Sequence, residues 1–139
     1  MITSAASLVK LHEALRLFPY IDTTGHVTIG WGRNLSAKGL SMKEADLLFT
    51  NDLHEALDAA RWFPWFAALN APRQAVILDM LYNLGESRFK RFLRFQAALQ
   101  RTDYRGAAQE MRHSIWARQV KSRATRLMTI METGEWPVT

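Results

Sequence analysis

The 139-residue sequence contains no cysteine, so no disulfide framework holds the fold and burial of apolar surface must stabilise it alone. No apolar run approaches the roughly 18 residues that a membrane-spanning helix needs, which predicts a soluble chain without membrane insertion. The opening "MITSAASLVKLHEALRL" has no basic region followed by an unbroken apolar stretch, because Lys10, His12 and Glu13 interrupt it; no signal peptide is expected. Internal repeats, low-complexity tracts, Gly-rich phosphate loops and a G-x-S-x-G elbow are also missing, which removes the motif-borne nucleotide and serine-hydrolase chemistries. His12, His26, His54 and His113 show no metal-ligand spacing, so the expectation is neither metal nor cofactor.

What is present is globular: 48% hydrophobic and 22% charged residues, enough for one compact domain and short for two. The formal charge of +5 draws the protein toward polyanions. Its basic residues in the C-terminal half, from Arg88 to Arg126, are interleaved with apolar positions at helical spacing. That pattern reads as solvated helix faces rather than a nucleic-acid arm, and no specific nucleic-acid partner is expected.

Periodicity predicts a first amphipathic helix over about 4 to 13, stopping near Ala14. "LFPYIDTTGHVTIGWG" then changes to aromatic, turn and β-prone residues, which predicts a hairpin or three-stranded ribbon over 17–35, and "RNLSAKG" reads as loop. Ser41 and Glu44 fit a capping box for a long helix to about 59. Further helices are predicted in "APRQAVILDMLYNL" with Pro72 in the first turn, in "RFKRFLRFQAALQ", in "DYRGAAQEMRH" and in "VKSRATRLMTIMETG", with a short turn at "SIWARQ". Trp62, Trp65 and Phe66 make an aromatic cluster that reads as packing, with a carbohydrate platform as the alternative.

Two acids lie close together in this order, Glu13 at a helix end and Asp22 in a turn. Glycoside hydrolysis needs one carboxyl to protonate the leaving oxygen and another to activate water or attack. Apolar Leu11, Leu15 and Leu17 could desolvate Glu13 and keep it protonated, while Asp22 in a polar turn stays ionised. Spacing alone fits equally a solvated helix-end acid and a turn-forming aspartate beside Gly25.

The string "HEALRLFPYIDTTGHVTIGWGRNL" resembles the signature of the phage-type lysozymes, muramidases of tailed bacteriophages, whose pattern runs roughly E-G-x-R-L-x-x-Y-x-D-x-x-G-x-x-T-I-G-x-G-H. Glu13, Arg16, Leu17, Tyr20, Asp22, Gly25, Thr28, Ile29, Gly30 and Gly32 fall in register. Similarity continues through "SMKEADLLFTNDL", "AVILDMLYNLGESRFKRF" and the closing "SIWARQVKSRATRLMTIMETGEW", so it covers residues 8 to 136. The resemblance implies a single lysozyme-like domain over 1–139, α+β and predominantly helical. A β lobe at about 17–35, an interlobe helix at about 41–59 and a helical lobe at about 60–136 completed by the N-terminal helix would flank a cleft.

Carried over by position, the resemblance implies Glu13 as the acid, Asp22 as the carboxylate that orients water and Thr28 as the residue that helps hold it. It also puts Asn34, Tyr82, Asn83 and Phe95 at the sugar site and Arg123 near Glu13, with a solvated arginine and a core tyrosine as the blander readings of Arg123 and Tyr82. Two residues depart from the pattern. Ala14 stands where a glycine is usual, and Arg33 replaces a histidine, with Asp52 as its expected ion-pair partner. The connection from Gly32 to Ser41 is short, implying a trimmed small lobe.

The expected function is hydrolysis of the β-1,4 bond between N-acetylmuramic acid and N-acetylglucosamine in peptidoglycan, by a cofactor-free monomer, with inversion as is usual in the family. The protein would be made in the host cytoplasm and reach periplasmic or cell-wall peptidoglycan through a holin-dependent route, or be carried in a virion. The rivals are a lytic transglycosylase on the same bond and a non-catalytic wall-binding or virion module.

Overall fold

Ser4 and Ser7 cap each other's backbone N–H groups, both at 3.1 Å, and this reciprocal pair starts α1 (Ala5–His12) in the manner of a capping box. The computed structural model, which describes residues 1–138, divides into two compact units, Met1–Leu48 and Phe49–Thr139.

In the first unit, α1 ends where Glu13 turns to extended backbone (φ −97°, ψ 116°). Strands β1 (Arg16–Ile21), β2 (Val27–Gly30) and β3 (Arg33–Asn34) form an antiparallel sheet in that order. The ribbon expected from the sequence is therefore three-stranded. Its register pairs Tyr20 with Thr28 and Thr28 with Asn34, with a bulge between Arg16 and Tyr20. The stretch read as loop contains a one-turn helix, α2 (Leu35–Lys38). Asn34 caps it by accepting from Ala37 N–H at 3.0 Å, a cap signal that outweighs the short length. Helix α3 (Met42–Arg61) begins with the predicted box: Ser41 N–H donates to Glu44 Oε1 at 2.8 Å and Glu44 N–H to Ser41 Oγ at 3.2 Å.

The second unit holds the whole apolar core. Apart from Thr28, every buried residue among those described lies between Ala56 and Met131. After α3 come α4 (Ala71–Leu84), α5 (Glu86–Phe89), α6 (Leu93–Gln100), α7 (Tyr104–Arg112), α8 (Ile115–Val120) and α9 (Ser122–Thr133). Phe89, fully buried, has the rings of Phe63, Phe95 and Trp65 at 5.4, 6.1 and 6.3 Å, each pair adding about 0.5–1.5 kcal/mol to burial. Trp65 and Phe66 are core, as read, whereas Trp62 is 77% exposed.

Two predicted elements differ. "RFKRFLRFQAALQ" is not one helix: it breaks at Lys90–Phe92, where Arg91, Phe92 and Leu93 N–H groups bond back to Arg88, Phe89 and Arg91 carbonyls. Six residues apart on a continuous helix, Phe89 and Phe95 would point to different faces; the break lets both enter the core. "SIWARQ" forms α8 rather than a turn, because Ser114 accepts from Ala117 N–H at 3.1 Å and Trp116, 4% exposed, anchors it.

The chain end is held by Arg73 in the first turns of α4. Its Nε donates to Met131 O at 2.8 Å, its Nη2 to Glu132 O at 3.0 Å, and its guanidinium lies 3.8 Å from the Tyr104 ring. These satisfy the orphan carbonyls of α9. Gly134 (φ +71°) leaves room for the same guanidinium, since a Cβ there would stand 2.8 Å from it. Arg73→Ala should lower unfolding free energy by about 2 kcal/mol, the order expected for charge-assisted bonds, and Arg73→Lys should restore only part because an ammonium lacks the planar fork. Urea unfolding checks this, and an unchanged midpoint for Arg73→Ala would refute the assigned role.

Candidate active site

The first unit carries the acids. Asp22 closes the β1–β2 turn: its N–H donates to His26 O at 2.9 Å and its carbonyl accepts from Gly25 N–H at 3.1 Å. Its carboxylate Oδ1 accepts three bonds, from Thr24 N–H (2.9 Å), the Thr24 hydroxyl (2.8 Å) and His26 N–H (2.8 Å). The Thr24 hydroxyl oxygen also lies 2.7 Å from His26 Nδ1, in hydrogen-bonding contact. The His26 and Thr24 donors hold the Asp22 carboxyl below its ordinary value, the His26 backbone N–H contributing most. Oδ2 has no hydrogen-bond partner among the described residues and is free to accept one from outside.

Thr28 is the one buried polar residue described, 4% exposed. It lies on the central strand, and its hydroxyl donates to His26 O at 3.1 Å. His26 thus ties Asp22, through its N–H, to Thr28, through its carbonyl. No spacing motif marks His26 for this role; its position four residues after Asp22 in the same turn is the signal the sequence offers.

Glu13 is the C-cap of α1, its N–H donating to Val9 O at 2.8 Å. Its carboxyl lies over Gly32, where a Cβ would come within 2.7 Å of Oε2 and 2.9 Å of Cδ. The apolar enclosure expected around it is absent: Glu13 is exposed, and Leu11, Leu15 and Leu17 are 64%, 47% and 75% exposed. Ala14 is not among the residues with positive φ, so alanine in place of glycine carries no backbone strain.

Arg33 pairs with Glu44, not with the expected Asp52. Its Nη1 donates to Glu44 Oε1 at 3.0 Å and to Gly39 O at 3.2 Å, and Nη2 closes a second bond to Glu44 Oε2. The short connection after β3 brings Arg33 to the first turn of α3, about 12 Å of helix before Asp52 at 1.5 Å per residue. The Ser41 N–H, the Ser41 hydroxyl and Arg33, in that order, hold the Glu44 carboxyl below its ordinary range.

The second unit carries Tyr82, Asn83, Phe95 and Arg123. Tyr82 is 42% exposed, its ring 5.8 Å from that of Phe49. Together with Asp52, Glu55, Leu81, Gly85 and Glu86 it lines a cavity of about 220 Å³. Asn83 accepts from Trp116 Nε1 at 2.7 Å, a structural bond that spends its carbonyl oxygen. Phe95 is a correction: at 1% exposure, packed on Phe89 and Phe92, it is core and offers no surface to a sugar. Arg123 donates from Nε to Asp79 Oδ1 at 2.7 Å, a partner the sequence reading did not name. In the first unit, Asn34 spends its side-chain oxygen on the α2 cap. No three acidic or histidine side chains converge to hold a metal among the described residues.

The chain belongs to the phage lysozyme family, whose description matches residues 10–129. It is therefore a glycoside hydrolase of the lysozyme class, and its substrate class is peptidoglycan. It is 26% and 23% identical to Probable T4-type lysozymes 1 and 2 of Dictyostelium discoideum, in each case across 96% of this chain and 96% of the relative. Those alignments extend over 164 positions, so the relatives carry residues that this shorter chain lacks. It is also 27% identical to the pre-baseplate central spike protein Gp5 of Enterobacteria phage T4, across 94% of this chain, and spans 28% of that protein's length.

The turn chemistry sets an acid limit. A carboxyl whose folded value is depressed contributes fully above its unfolded value, about 3.9 for aspartate, and loses that contribution as pH falls through the lower folded value. A carbon-detected NMR titration should give Asp22 a midpoint below the ordinary value, with the His26 amide signal shifting in parallel. A midpoint at or above it would contradict the three-donor geometry.

Proposed function

We propose that the protein hydrolyses the β-1,4 bond between N-acetylmuramic acid and N-acetylglucosamine in peptidoglycan, with inversion at the anomeric carbon. Glu13 protonates the departing glycosidic oxygen. Asp22 takes a proton from a water bound at its free Oδ2, and Thr28 helps fix that water. The observation that carries this reading is the division of labour at Asp22: Oδ1 is saturated by turn donors, which fixes the carboxylate and keeps it ionised, and Oδ2 remains open. A general base needs that combination of fixed orientation and a free, charged oxygen. Glu13 supports the acid role by its placement off the helix end on Gly32, where the carboxyl is exposed to substrate.

Tyr82 presents its exposed ring to sugar. Asn34 and Asn83 contribute through what their second, amide nitrogen can donate. The protein works as a monomer without a cofactor, and its positive charge holds it to the anionic wall. It serves wall breakdown during a phage cycle. The likeness to a spike protein of a phage makes carriage in a virion as consistent with the sequence as holin-dependent release, and mass spectrometry of purified virions separates the two.

Glu13→Gln should reduce clearance of peptidoglycan suspensions by at least about a thousandfold, and Asp22→Asn by about a hundredfold or more, the range for general acid–base groups. Mass spectrometry of the wild-type digest should show muropeptides with reducing muramic ends. Anhydro-muropeptides in their place would assign the chain to lytic transglycosylation. Wall binding with clearance untouched by Glu13→Gln would make it a non-catalytic module.

A further inference from the structure

The β2–β3 connection is Trp31-Gly32, and both Gly30, which ends β2, and Gly32 have positive φ, +70° and +77°. Two such residues flanking one side chain make a turn with little intrinsic stiffness. Yet this turn is where the Glu13 carboxyl rests, with Gly32 Cα beneath it. Two tethers reach the turn, one at Trp31 and one at Arg33. From α1, Lys10 Nζ lies 5.1 Å from the centre of the Trp31 ring, three residues before Glu13 in the last turn of the helix. From α3, Glu44 holds Arg33 by two hydrogen bonds while Gly39 O takes a third. A planar guanidinium gripped at both carboxylate oxygens is fixed in direction as well as position.

The geometry points to Trp31 and Arg33 as positioning residues for Glu13: the turn they flank carries the bare glycine on which the Glu13 carboxyl is seated, and it is tied to α1 through Lys10 and to α3 through Glu44. This rests on the reading of Glu13 as the acid. The tethers are poor candidates for a purely structural role. The side chains of Arg33 and Glu44 are 34% and 38% exposed, and exposed ion pairs contribute little to stability. Displacement of a reacting group, by contrast, is costly, about a hundredfold in rate for 1 Å.

The experiment measures kcat and KM on soluble peptidoglycan fragments, with the full chain, well below the thermal midpoint. Glu44→Gln removes the charge on one tether but keeps an oxygen for the Ser41 cap. Lys10→Gln removes the other tether at an exposed position, so a folding failure in one variant leaves the second informative. Each should lower kcat by about tenfold or more with KM changed less than about twofold and the thermal midpoint nearly constant. Arg33→Lys, which keeps the charge without the fork, should fall between wild type and Glu44→Gln. Wild-type kcat in both Glu44→Gln and Lys10→Gln, with Glu13→Gln inactive, would overturn the positioning role and leave the acid assignment standing. Loss of kcat only in step with a lowered midpoint would also overturn it. Full turnover in Glu13→Gln would instead remove the acid assignment and the inference with it.

Discussion

The Glu13 carboxyl occupies the space a side chain at position 32 would take, with Gly32 beneath it. The end of α1 and the strand register of the first unit keep that arrangement. A helix must end at residue 13 so that the acid leaves the hydrogen-bonded ladder, and Glu13 does so with its own N–H still satisfied by Val9. A strand pair must return the chain so that residue 32 meets residue 13, and the antiparallel register of β1 with β2 and β2 with β3 does that. Only glycine serves at position 32, because it combines a φ of +77° with the absence of a Cβ.

The second carboxylate is built by a different device. Asp22 is fixed by hydrogen bonds within its own turn rather than by packing, with three donors on a single oxygen. His26 supplies one of those donors and offers its carbonyl to Thr28, so the Asp22 carboxylate and the Thr28 hydroxyl share one residue as scaffold. This suits a unit in which Thr28 is the one buried residue: where apolar burial is scarce, directed hydrogen bonds carry the geometry. In the second unit the balance is reversed, with an aromatic core around Phe89 and polar clamps confined to its edges, at Arg73, Asn83 and Arg123.

Much of this was legible in the sequence because it is written in local chemistry. Ser41 with Glu44, Pro72 in a first turn, and Asp22 before Thr-Thr-Gly announce a cap, a helix start and a turn through near neighbours, and each forms as read. The resemblance placed Glu13, Asp22 and Thr28 by register, and family membership follows from the match over residues 10–129. What stayed hidden depends on longer reach. The partner of Arg33 turns on how far a short connection carries it along α3, a two-turn difference between Glu44 and Asp52 that no motif encodes. The burial of Phe95 depends on the break at Lys90–Phe92, made to seat two phenylalanines that a continuous helix would have separated. An acid amid apolar helix residues, such as Asp79, gives no sign of a partner 44 positions away, here Arg123.

The most direct test of the two-carboxylate account is the anomeric configuration of the first product. Proton NMR of a chitin- or murein-derived oligosaccharide during turnover records the new reducing end before mutarotation. Water delivered by Asp22 to the face opposite the departing oxygen predicts the α anomer at the earliest times. An initial β anomer would mean retention, and with it a nucleophile or substrate-assisted route in which Asp22 is not the base described here.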